Sequence, residues 1–352
     1  MRMVYWHQNL RLVDAWTIST RLRAGGTGKV NEGVLLLELR DRSGNWGYGE
    51  AAPAKRYRED METVLHYLEQ VDSSRLSFED RAASCDYLAG IKPFNRAAFG
   101  ALDLALADGA ARSAKKTVHE LFDLGFKEGP HVTSFSIGID TPEVIEKKVS
   151  RAAEFEILKI KLGSPDDEAV LKAVRNVAPS KTLRVDANEA WAKKEEALRR
   201  IEWLAEDSKI EFVEQPMPST LPAADHAWLR ERSPLPLMAD ESYVDSQDVS
   251  VCRDAFDAVN VKLVKTGGIS EGYRALKVAR EAGLKTMLGC MIESSVLISA
   301  AAHLAAFTDY LDLDGSLLTA NDPFDGVVIE KGVLSFEKAF VKDGLQVRPK
   351  LT

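Results

Sequence analysis

The sequence predicts an α/β fold: a barrel of eight parallel strands preceded by a separate α+β unit. Three observations predict it. From about residue 130 onward, short apolar segments alternate with stretches of helical periodicity. Helical stretches such as "SEGYRALKVAREAGL" run through a glycine just before the next apolar segment. An ionisable residue also falls near the C-terminal end of strand after strand, as a barrel with its site at one face requires.

Taken in order, the elements begin with a mixed region that reaches about residue 115. There "EGVLLLELRD" leads through a glycine-rich turn to "GYGEAAP", which predicts an antiparallel sheet. Helical patterns follow at "EDMETVLHYLEQ" and "NRAAFGALDLALADGAARSA". The barrel strands are then "VTSFSIGI", "FEILKIKLG", "TLRVDANEA", "IEFVEQP", "LPLMADES", "AVNVKLVKTGG", "KTMLGCMIES" and "YLDLDG", with seven helical crossovers between them. After Asp325, "GVVIEKGVLSF" reads as a hairpin, expected to lie back against the N-terminal unit. The expected division is 1–118, completed by 325–352, and a barrel over 119–324.

Composition narrows the function. A formal charge of −8 with no basic stripe argues against nucleic acid. The start, "MRMVYWHQNLRLV", has no continuous apolar core of a signal peptide. The stretch Leu284 to Phe307 is broken by Glu293, serines and His303, too polar for a membrane span. Cys85, Cys252 and Cys290 are odd in number and scattered, which fits a reducing compartment. The expectation is a cytoplasmic protein acting on a small molecule, with a homo-oligomer left open. Two features are set aside. "GGTGKV" lacks the first glycine and the Ser/Thr of a phosphate loop, and His303 sits in an apolar helical pattern that suits a packed core.

The lysines of "FEILKIKLG" pose a question, because Lys159 and Lys161 leave an apolar strand by the same face and need negative charge opposite. Lys161, Asp186, Glu214, Asp240, Lys265, Glu293 and Asp314 recur about every 20 to 28 residues, near successive strand ends. Asp186, Glu214 and Asp240, from three consecutive strands, form an all-oxygen set suited to Mg²⁺, one ion per subunit; the plainer alternative pairs each with a Lys or Arg. Lys161 and Lys265 would approach the pocket from opposite sides, and a lysine beside another cation can act as a base near neutral pH. Lys265 as a Schiff-base nucleophile is a further alternative. Together these groups suit removal of a proton next to a carboxylate and its return on the other face, a 1,1-proton transfer.

"KIK", "VDANEAW", "VEQP", "ADES", "NVKLVKTGG" and "LGCMIES" resemble the muconate-lactonising subgroup of the enolase superfamily, and "DLDG" resembles its dipeptide epimerases. The resemblance implies a modified (β/α)7β TIM-type barrel with an α+β capping domain, and Mg²⁺-dependent epimerisation of a dipeptide at the Cα of its C-terminal residue. It implies Asp186, Glu214 and Asp240 as metal ligands and Lys161 and Lys265 as the acid/base pair. Lys159 would hold the substrate carboxylate, Ser136 would lie near the substrate, and Asp312 and Asp314 would bind the ammonium group. Met291 and Glu293, from "LGCMIES", join the substrate-binding set. Arg21 or Arg23 of the long first loop, with Arg56 and Arg58 as further options, would meet the substrate side chain. A muconate cycloisomerase or an o-succinylbenzoate synthase-type lyase is the runner-up, and neither needs an ammonium site.

Overall fold

The computed structural model describes residues 1–351 and shows the α/β barrel with an α+β unit ahead of it. The N-terminal unit is a three-stranded antiparallel sheet, β1 (Arg2–Trp16), β2 (Lys29–Arg40) and β3 (Trp46–Ala51), in that spatial order. The alternation of β1 is blurred in sequence because its outer face also carries large apolar residues, Val4 and Trp6, each 37% exposed. The Ala-rich helix Arg96–Ser113 lies directly on β3. Gly47 and Gly49 make this approach feasible: a Cβ on them would fall 2.0 Å from Ala105 O and 1.8 Å from Ala101 O.

After the short β4 (His131–Val132) come the barrel strands: β5 (Phe135–Ile137), β6 (Ile157–Lys161), β7 (Thr182–Asp186), β8 (Ile210–Glu214), β9 (Leu237–Ala239), β10 (Ala258–Val261), β11 (Lys285–Gly289) and β12 (Tyr310–Asp312). Each pairs in parallel with its sequence neighbours. A parallel bridge between Thr133 and Leu311, with Ser134 N donating to Leu311 O at 3.1 Å, closes first strand to last. The register sets Lys161 beside Asp186 and Asp186 beside Glu214, so the site residues line up before any side chain is considered.

After β12 the described residues make a short 3-10 turn, Gly315–Leu318, and no eighth crossover helix. It continues through β13 (Phe324–Asp325), β14 (Val328–Glu330), β15 (Val333–Ser335) and β16 (Arg348–Pro349). The expected hairpin is β14–β15, but its placement differs from the expectation: β15 pairs with β4 at the entry to the barrel, where Thr133 N also donates to Gly332 O at 2.8 Å. The chain beyond the hairpin does reach the N-terminal unit. Leu345 N donates to Asp108 at 2.7 Å, and Arg112 reaches Asp343 and the Val347 carbonyl at 3.0 and 2.9 Å.

Buried carboxylates of the N-terminal unit cap barrel helices. Glu50 of β3 accepts from Ser294 N, Ser294 Oγ and Leu297 N at 2.8, 2.6 and 3.2 Å, at the start of the helix Ser295–Ala302. Burial pushes its carboxyl up to about 7 despite those donors. A raised folded value means that its contribution to stability is complete below its ordinary 4.5 and is lost as pH rises through about 7. Glu50→Gln should therefore gain thermal stability relative to the wild type as pH is raised from about 5.5 to 8. Parallel melting curves across that range would contradict this.

Candidate active site

The side chains of β6 answer the question of the paired lysines. Lys159, 1% exposed, lies 2.7 Å from Glu214 Oε2, 2.8 Å from Asp312 Oδ2 and 3.3 Å from Asp186 Oδ2. Burial alone would lower its pKa, but the Asp312, Glu214 and Asp186 carboxylates hold it well above the usual lysine value. Lys159 is thus a fixed positive charge at the barrel centre. Lys161, nearer the mouth, pairs with Asp186 Oδ2 alone, at 2.6 Å.

Asp186, Glu214 and Asp240 each offer an oxygen within 4.8 Å of the others'. Lysines partner Asp186 and Asp240 well enough to hold both below the usual carboxylate range in spite of burial. Glu214 is different. Burial and the Asp186 charge push it up to about 7. Its Oε1 accepts from Asn260 Nδ2 at 2.8 Å, whereas Oε2 makes no aligned hydrogen bond even to the nearby Lys159. Next door, burial and the Asp240 charge push Glu241 up to about 8. The cluster is short of positive charge, so lysine pairing does not account for it in full, and hard oxygen donors fit a divalent cation of the Mg²⁺ kind.

The lysines after the sixth barrel strand stand differently from the expectation. Lys265 lies beyond the strand, in the short helix Leu263–Thr266. Its ammonium group donates to Asp240 O, Asp240 Oδ1, Asn260 O and Tyr243 O at 2.7, 2.6, 3.0 and 3.1 Å. Burial lowers its pKa, which would suit a base, but four acceptors consume every proton and leave no face open to a substrate. Lys262 directly follows β10 and among the described residues has one ion-pair partner, Asp240 Oδ2, at 2.8 Å; in spite of burial, that charge holds its ammonium group well above the usual lysine value. Sequence reasoning missed Lys262, along with Asn260. The signal was the alternation in "NVK", which turns both toward the barrel interior.

At the end of β12, Asp312 accepts from Ser134 Oγ at 2.7 Å and pairs with Lys159. In spite of its burial, Lys159 and Lys161 hold it down at about 2. Asp314 is pushed up to about 7 by burial and by the Asp312 charge. It accepts from Ser136 N at 2.6 Å, and its side chain does not cap the turn that follows. Asp314 therefore lacks the cation that Asp312 has. Glu293, pushed up to about 8 by burial and Glu50, folds back to accept from Met291 N at 2.9 Å.

Of the loop arginines, Arg21 bonds the Thr27 carbonyl of its own loop, and Arg23 reaches Asn188 O on the barrel at 3.3 Å. The buried Ser19 fastens that loop by donating to Ala187 O and Asn188 O at 2.7 and 2.9 Å. Arg56 is committed to Glu189 through two bonds, at 3.0 and 2.7 Å, and to Ser219. Arg58 is exposed in a left-handed turn at φ 60. A cavity of about 550 Å³ lies against Phe135, Ile137, Leu317 and Leu318, and none of the carboxylates or lysines above lines it. Of the residues expected near a substrate, Ser136 does line it.

Fold and site together define a class: barrels that gather carboxylates and lysines at the C-terminal strand ends to handle a proton beside a carboxylate. Residues 143–345 match the family model described as enolase C-terminal domain-like. The chain belongs to the enolase superfamily. It is 52% identical, over 99% of its length and 100% of the relative's, to an L-Ala-D/L-amino acid epimerase of Pedosphaera parvula. It is 35% identical to an L-Ala-D/L-Glu epimerase of Bacteroides thetaiotaomicron, over 95% of this chain and 85% of that one. A dipeptide epimerase from Enterococcus faecalis V583, solved with Mg and L-Leu-L-Tyr, superposes with a TM-score of 0.88 at 29% identity, covering 98% of each chain.

Proposed function

We propose that this chain is an isomerase, a Mg²⁺-dependent dipeptide epimerase that inverts the Cα of the C-terminal residue by two-base 1,1-proton transfer. One observation carries the reading: Lys161 and Lys262 end strands four places apart in an eight-stranded barrel, with the acidic triad on the strands between. Bases so placed address opposite faces of one carbon. The relatives named above support the substrate class.

Asp186, Glu214 and Asp240 would hold one Mg²⁺ per subunit, which when bound draws charge from the substrate carboxylate and so acidifies the neighbouring C–H. Lys159 stays protonated and adds fixed positive charge to that carboxylate's subsite. Lys161 Nζ takes the Cα proton from one face. Lys262, protonated against Asp240, returns a proton to the opposite face. The reverse direction exchanges their roles, so no proton is gained or lost over a cycle. Lys265 takes no part in transfer and locks the backbone around Asp240. We assign residues 1–118 with 325–352 to the capping unit and 119–324 to the barrel, with the β14–β15 hairpin as the part of the C-terminal segment that sits at the barrel entry. The docking of Leu345 and Val347 on the helix Arg96–Ser113 supports that division. Among the described residues no helix is long and apolar enough to cross a membrane, and with three free cysteines this fits a cytoplasmic enzyme.

Asp314, a buried carboxyl short of a cation, would receive the substrate ammonium, with Asp312 held alongside by Lys159. The runner-up lyase chemistry has no use for such a group. Truncating one partner of a buried charge pair costs about 2–5 kcal/mol. Asp314→Asn should therefore raise KM for a dipeptide by at least about thirtyfold and barely affect an N-acetylated analogue. Steady-state kinetics on both substrates checks this. A wild type that prefers the N-acylated form would overturn the dipeptide reading.

A further inference from the structure

The motif after Lys262 is held from outside the barrel. Asp103, fully buried on the helix Arg96–Ser113, accepts from Ser270 N at 3.0 Å and Ser270 Oγ at 2.9 Å. It thereby caps the helix Ile269–Glu281 across the boundary between units, while Arg81 neutralises it at 2.7 Å. The contact needs three glycines. Gly267 and Gly268 hold φ of 91 and 106, and a Cβ on Gly268 would lie 2.5 Å from Asp103 Oδ2. A Cβ on Gly100 would lie 3.0 Å from Gly268 N. From Gly268 the path back to the site is short. Gly267 and Gly268 donate to Leu263 O at 3.0 and 2.8 Å, and Lys265 N and Thr266 N donate to Lys262 O at 3.0 and 3.1 Å.

We propose that Asp103 is a positioning residue for Lys262: by capping the Ile269–Glu281 helix, it fixes the Lys262–Gly268 segment against Asp240. The N-terminal unit is then part of one proton-transfer arm and more than a cover over the pocket. The opposite arm, Lys161 on β6, has no such tie to Asp103. Loss of the cap should therefore damage one half of the reaction selectively. This rests on the reading of Lys262 as one of the two bases.

The test is Cα–H exchange in D₂O, followed separately from each epimer of one dipeptide by mass spectrometry. The epimer that Lys161→Met still exchanges marks the Lys262 side. Asp103→Asn should slow exchange on that side by at least about tenfold and leave the Lys161 side within about twofold. Asp108→Asn is the control. It removes a buried carboxylate on the same helix that holds Tyr48 N and Leu345 N but no barrel loop, and should slow both sides equally. Should Asp103→Asn fail to fold, Gly100→Ala presses the same helix off Gly268 and should show the same asymmetry. Equal slowing of both epimers by these Asp103 and Gly100 variants would overturn the positioning role. A wild type that exchanges neither epimer would overturn the functional reading instead. In that case a crystal structure of the variant decides the positioning role: a shifted 262–270 segment upholds it, and an unmoved one overturns it.

Discussion

Lys262→Met is expected to abolish epimerisation, with a loss of about 10³-fold or more, while the protein still exchanges the Cα proton of one epimer through Lys161. Lys161→Met should give the mirror result with the other epimer. The expectation follows from placement, since each lysine reaches one face of the carbon and neither can substitute for the other across the barrel. Lys265→Met should behave differently. It removes an ammonium group that satisfies three backbone carbonyls and one Asp240 oxygen, so the main loss is stability, on the order of 3–5 kcal/mol, with both exchange reactions falling together. Measured one epimer at a time, exchange kinetics separate these outcomes. If Lys265→Met suppressed exchange of one epimer and Lys262→Met suppressed neither, the original assignment of Lys265 would be restored.

Glu214→Gln is expected to weaken Mg²⁺ binding by at least about 100-fold and to reduce turnover to background, with the fold retained. Glu214 is the triad member that lysines leave least compensated, so the cation's grip depends most on its charge. Glutamine keeps the size and can still accept from Asn260, which is why stability should hold. Chelation of the wild type should likewise remove activity, and added Mg²⁺ should restore it. Calorimetric titration with Mg²⁺ checks the variant directly; unchanged affinity would remove Glu214 from the metal site.

The barrel was legible in the sequence because each βα unit repeats one pattern: an apolar run, an ionisable residue at its end, and a helix closed by glycine. Asp186, Glu214, Asp240 and the Lys159/Lys161 pair stood out for the same reason, since a charge on a buried strand has no other explanation than a partner. Two lysines, Lys262 and Lys265, follow β10, and sequence alone does not show where the strand stops. Lys262 is the last residue in strand-like alternation, whereas Lys265 is already one turn into a helix. β1 was missed because its outer face is nearly as apolar as its inner one. The ties between units were invisible for another reason. Asp103 and Ser270 stand 167 residues apart, and neither has a local pattern that names its partner.

The central claim is that two bases act on the Cα of a dipeptide's C-terminal residue. Incubating the wild type with Mg²⁺ and a dipeptide library in D₂O tests it most directly, with deuterium located by mass spectrometry and epimers resolved chromatographically. The expected result is a single deuterium at the C-terminal Cα, appearing in both epimers, with none at the N-terminal residue. Deuterium at the N-terminal Cα, or turnover confined to N-acylated amino acids or to dicarboxylates without an amine, would contradict it.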